Sequence, residues 1–131
     1  MKIVVIDGQG GKMGAALVER LKAEGLGEII AVGTNSLATA AMLRAGADAG
    51  ATGENPVVVN CRDADFIVGP MGILVADALH GEITPRMAGA VGASPARRVL
   101  LPVSRCNTVV AGVREMPLGE YVRLAVEEIR G

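Results

Sequence analysis

The sequence predicts a single α/β domain, a parallel sheet with helices on both faces. Short β-branched runs alternate with stretches of helical spacing from one end of the chain to the other. Eighteen glycines in 131 residues stand singly or in pairs where those runs end. Half of the residues are apolar, yet there is one Phe, one Tyr and no Trp, so the core must be built from Val, Ile, Leu, Ala and Met. At this length one domain is expected, able to bury roughly two-thirds of its unfolded surface.

KIVVID (2–7) is a short buried strand. From Lys12 to Glu24, Met13, Leu17 and Leu21 recur at helical spacing, and Gly25 and Gly27 close the helix. EIIAVGTN (28–35) is the second strand. Ser36 is placed to cap a helix through Leu37, Ala41, Met42 and Ala45 that ends at Gly46. A short strand follows in 47–52. Asn55 before Pro56 marks a helix start, so 56–63 is assigned as helix, although its three valines fit a strand equally. ADFIVGP (64–70) is a clear buried strand, followed by a helix through Ile73, Ala76 and Leu79. Thr84 and Pro85 begin a short helix through Ala90. Strands are expected within 97–106 and at TVVAGV (108–113), and 118–130 is an amphipathic closing helix.

The formal charge of −1 and the lack of a basic stripe with aromatics exclude nucleic acid as a partner. No stretch approaches the ~18 uninterrupted apolar residues of a membrane span, and Asp7 interrupts the first apolar run too early for a signal peptide. A cytoplasmic location is the expectation, with Cys61 and Cys106 as thiols.

Between the first strand and the first helix lies Gly8-Gln9-Gly10-Gly11-Lys12-Met13-Gly14. Gly8 lets the chain leave the strand tightly, Gly10 and Gly11 let a phosphate approach the backbone, and Gly14 allows helix to pack closely on strand. The first N–H groups of the helix and its dipole favour an anion at that end. Lys12 opposes the dipole unless an anion offsets it. Together these residues predict a site for a small phosphorylated ligand. Asp7 departs from the usual small residue there. It either turns inward to accept loop N–H groups or meets a phosphate through Mg²⁺, and no resident metal site is assigned.

The pattern Gly8-x-x-Gly11-Lys12-Met13-Gly14 resembles the pyrophosphate loop of dihydrodipicolinate reductases, over about the first quarter of the chain. VIDGQGG, GTNSLATAAMLRAGA, GATGEN, GPMGI, GEITP and SRCN together resemble a family of small uncharacterised bacterial proteins over nearly the whole chain. The first resemblance implies NAD(P) binding; the second implies a Rossmann-like fold and carries no reaction. Dihydrodipicolinate reductases have a second, substrate-binding domain to which nothing here corresponds.

Dinucleotide folds specific for NAD end the second strand on an acidic residue that binds the ribose diol. Here stand Thr34, Asn35 and Ser36, which tolerate a 2′-phosphate and favour NADP(H) over NAD(H) as the nicotinamide cofactor. Gly69 and Pro70, with Met71 and Gly72, form a loop after the fourth strand beside the same crevice. Arg105 is a candidate anion contact and Cys106 a candidate thiol on the SRCN segment. His80 is taken as a helix-end residue closed by Gly81, and Glu82 with Thr84 as capping chemistry.

Three functions follow as expectations. One is a binding module for a dinucleotide. The second is an NADP(H)-dependent oxidoreductase completed by homo-oligomerisation, and the third a magnesium-dependent enzyme acting on a nucleotide or sugar phosphate. Whether the protein is an enzyme stays open at this level.

Overall fold

The computed structural model describes residues 1–103 and 106–131. Five strands, β1 (Lys2–Asp7), β2 (Glu28–Gly33), β3 (Ala49–Thr52), β4 (Phe66–Pro70) and β5 (Arg97–Leu101), form one all-parallel sheet in the order β3-β2-β1-β4-β5. Five helices flank it: α1 (Lys12–Ala23), α2 (Ser36–Arg44), α3 (Glu54–Asn60), α4 (Pro85–Ala93) and α5 (Leu118–Arg130). This is a Rossmann-like α/β fold.

Strand alternation divides the core in two. Ile3 and Val5 of β1 face α1, α2 and α5, where Leu17, Leu21, Met42 and Val126 complete one cluster. Val4 and Ile6 face the other way, against Val57 of α3 and Met87 and Val91 of α4. Each such Ile or Leu side chain contributes about 1.5–3 kcal/mol when fully buried. Helix α5 buries Tyr121, Val122, Ala125, Val126 and Ile129, the i, i+4, i+8 stripe that its sequence presents.

Several elements differ from expectation. Helix α2 is capped by Asn35, whose Oδ1 accepts from Ala38 N–H at 2.9 Å, and Ser36 is its first helical residue. Helix α3 begins at Glu54 after Gly53 (φ 104°), because the left-handed turn at Gly53 brings Glu54 into the first turn; Asn55 does not cap it. Gly69 and Pro70 are the last residues of β4, paired with Leu100 and Leu101, and not a loop. The helix expected through Leu79 is a single 3₁₀ turn, Met71–Leu74, followed by turns up to Ile83. Asp77, Leu79 and His80 all have φ between 57° and 66°, which no right-handed helix accommodates. His80 therefore sits in a turn and ends no helix. The segment 108–113 is not a strand. Val109 is 84% exposed, and Gly112 at φ 84° breaks any extended run.

Candidate functional site

Strand order reverses between β1 and β4, so the crevice outside their carboxyl ends is where such sheets place a ligand. The glycine loop lies there. β1 delivers Asp7 to its last position, buried, and α1 starts five residues later with Gly11 as its N-cap. Gly11 has φ 73°, and a Cβ on it would come within 2.7 Å of the Ala38 backbone, so conformation and space both require glycine.

The Asp7 carboxylate turns inward. Oδ1 accepts from Gly8 N–H at 2.8 Å and Oδ2 from Gly14 N–H at 2.7 Å, closing the loop on itself. Burial pushes its pKa up, the two backbone bonds pull it down, and the charge of Glu82 pushes it up again; the net direction is upward. A Cβ on Gly14 would meet Met42 Sδ at 2.5 Å and Asp7 Cβ at 2.8 Å, so its bareness seats α1 against α2 and the strand end.

The remaining loop donors are differently placed. Among the described residues, no acceptor reaches the N–H of Gly10, Lys12 or Met13, and no side chain caps α1. These residues, with Asp7, Gly8, Gln9 and Gly11, line an open cleft of about 310 Å³ that Val103 and Leu118 also border. Lys12 is exposed and makes no ion pair among the described residues. A Cβ on Gly10 would find nothing within 4 Å, because it projects into open space. Backbone donors, a helix N-terminus and a lysine bordering a cavity are the chemistry of a phosphate site.

On the other flank of the loop lies Glu82, whose sequence context alone suggests a capping role. Glu82 Oε1 accepts from Gln9 N–H at 2.9 Å, from Asn35 Nδ2 at 3.0 Å and from the Thr34 hydroxyl. Asn35 Nδ2 also donates to Gln9 O at 2.9 Å. Burial raises the Glu82 pKa, but the bonds from Thr34, Gln9 and Asn35 outweigh it and hold the carboxyl below its ordinary range. Glu82 thus takes no part in the capping at α4. Thr84 does that alone with Met87, its Oγ1 accepting from Met87 N–H at 3.1 Å, while its hydroxyl donates to Glu54 at 2.6 Å. The one legible signal for Glu82 was its place on the long connection after a central strand, where loops meet at the carboxyl edge.

The other candidates separate. Thr34 and Asn35 lie beside the loop with their side chains engaged, and Ser36 is exposed with no hydrogen bond from its hydroxyl among the described residues. Gly69 packs against the Ile6 carbonyl and Pro70 is buried, so both serve the sheet and neither lines the cleft. Cys106 (φ 48°) packs against the cluster on the α3–α4 face and is not among the described residues that line the cleft. Arg105 lies outside the described residues.

Residues 2–131 match the model of the family described as domain of unknown function (DUF3842), and the chain belongs to that family. No curated protein matches the chain. Among solved structures, the fold is similar to a dodecameric FMN-dependent UbiX-like decarboxylase from Escherichia coli O157:H7. That similarity has 17% identity and a TM-score of 0.50, covering 99% of this chain and 76% of the other. No helix among the described residues is long and apolar enough to cross a membrane.

Proposed function

We propose that this DUF3842-family domain binds a phosphorylated small molecule of nucleotide type, with the phosphate at the N-terminus of α1. The observation that carries it is the set of unpartnered N–H groups of Gly10, Lys12 and Met13 on a 310 Å³ cleft at the strand-order reversal. The Lys12 ammonium supplies the opposing charge, and the helix dipole adds to it.

A mononucleotide, or a dinucleotide with a free ribose diol, fits this arrangement better than NADP(H). At the end of β2, where a dinucleotide fold holds the adenosine ribose, the Thr34 and Asn35 donors are already held by the Glu82 carboxylate. The open space lies on the opposite flank, toward Val103 and Leu118. FMN is the first ligand to try, since the similar solved structure is an FMN-dependent decarboxylase. A magnesium-bridged phosphate is less well supported, because both Asp7 oxygens already accept backbone N–H groups. Any reaction is a further step, and a homo-oligomer would supply its missing walls. The exposed Val109, Val110, Val113 and Leu124 beside β5 and α5 are the face we assign to that contact, to be checked by light scattering.

The test is calorimetric titration with FMN, NADH, NADPH, ATP and ribose 5-phosphate, with and without magnesium. Binding of a mononucleotide without magnesium, lost in Gly10→Val, is the expected result. Binding by none of them, or binding that Gly10→Val leaves intact, would overturn the proposal.

A further inference from the structure

At the carboxyl end of β2, donors from two loops converge on one oxygen. Gln9 N–H, the Thr34 hydroxyl and the Asn35 amide all reach Glu82 Oε1, whereas no donor among the described residues reaches Oε2. The Asn35 amide is oriented by its other end, since Oδ1 holds the Ala38 N–H. Three donors around one point form an anion hole, and the chain fills it with a carboxylate 73 residues away from Gln9. The backbone on both sides is bent to do so. Gln9 has φ 51°, and Leu79 and His80 each have φ 57°, left-handed conformations that non-glycine residues keep only where their surroundings demand them. The fit is tight as well: a Cβ on Gly8 would lie 2.6 Å from Thr34 Oγ1 and 2.7 Å from Glu82 Oε1.

We infer that Glu82 is a specificity-determining residue, the built-in occupant of an anion hole at the end of β2 that bars a second phosphate from it. In sheets of this strand order, that position lies over the ribose of a bound dinucleotide, where NADP carries its 2′-phosphate. A carboxylate there rejects the phosphate twice, by repulsion and by holding the donors that would receive it. A free diol meets no such barrier, because Oε2 is open to accept its hydroxyls. The choice of nucleotide rests on the function proposed above; the anion hole itself does not.

Two measurements on wild type and Glu82→Ala, at constant ionic strength, separate these claims. Inorganic phosphate should raise the melting temperature of Glu82→Ala more than that of wild type, because the variant has gained an empty hole. The affinity for NADPH relative to NADH should rise at least about tenfold in the variant, the lower end for hydrogen bonds to a charged group. Equal phosphate protection of the two proteins together with an unchanged ratio would overturn the inference. Should Glu82→Ala not fold, Glu82→Gln keeps the shape and removes the charge. Its NADPH-to-NADH ratio should rise, and a wild-type ratio would overturn the inference. If no nucleotide binds either form, the proposed function falls and the phosphate comparison alone decides whether the hole exists.

Discussion

Alanine at Gly8 should be costly and alanine at Gly10 nearly neutral, although the two glycines stand two residues apart in one loop. At Gly8 the new Cβ would stand 2.6 Å from Thr34 Oγ1, 2.7 Å from Glu82 Oε1 and 2.9 Å from Leu79 Cδ1. All three are far inside the ~3.5 Å at which carbon contacts become favourable. Relief requires moving Glu82 off its donors or shifting the strand end. Overpacking of this kind costs about 1–3 kcal/mol, and loosening a charge-assisted hydrogen bond costs a similar amount. A loss of about 2–3 kcal/mol follows. For 131 residues at about 2.1 cal/mol/K each, 1 kcal/mol corresponds to roughly 3–4 °C, so Gly8→Ala should melt about 7–10 °C lower. At Gly10 the Cβ meets nothing within 4 Å and the φ is not left-handed, so Gly10→Ala should stay within about 0.5 kcal/mol of wild type. Thermal and urea unfolding followed by circular dichroism measure both. Equal losses, or a neutral Gly8→Ala, would refute the packing of Glu82 and Thr34 over the loop.

Asn35→Ala removes both the α2 cap and one Glu82 donor, and urea unfolding should show a loss of about 1–2 kcal/mol. The two site carboxylates should respond to pH with opposite signs. The Asp7 pKa is raised in the fold, so its stabilisation is complete below the unfolded value of about 3.9 and is lost as pH rises through the folded value. The stability of wild type relative to Asp7→Asn should therefore increase as pH falls through that window. The Glu82 pKa is lowered, so its contribution is present above about 4.3 and lost as pH falls through its folded value. Wild type relative to Glu82→Gln should lose its advantage there, and unfolding difference curves for the two pairs check both signs. The Cys61 thiol is buried and pushed up to about 11, so alkylation near neutral pH should modify it only at the rate of unfolding. Mass spectrometry of folded and urea-treated protein distinguishes the two rates.

Where local pattern and fold agree, the sequence was legible. β1, the start of α1 at Lys12 and the whole of α5 stand where their apolar spacing and glycine stops put them, because each buries a single stripe against the sheet. The connection 71–84 was illegible for the opposite reason. Ile73, Ala76 and Leu79 sit at helical intervals, but Leu79 and Ile83 reach the core from a chain of left-handed turns instead. TVVAGV has strand composition but pairs with no strand among the described residues, so composition alone misled. At the site, the loop glycines were readable from their strand-to-helix setting, and the inward turn of Asp7 is one of the two roles its position in the sequence allows. Of Glu82 only its place after a central strand was readable, since its three partners are between 47 and 73 residues away and leave no mark on local spacing. Nor could the sequence tell a glycine needed for a ligand from one needed by a neighbour. The space at Gly10 and the crowding at Gly8 are tertiary facts.

The most direct test of the phosphate site is an amide-resolved NMR titration of the protein with FMN. The largest shifts are expected at the N–H of Gly10, Lys12 and Met13, which have no acceptor among the described residues. Gly8 and Gly14, held by Asp7, should move little. Saturating shifts that centre elsewhere, or none in the loop under any mononucleotide, would contradict a phosphate site there.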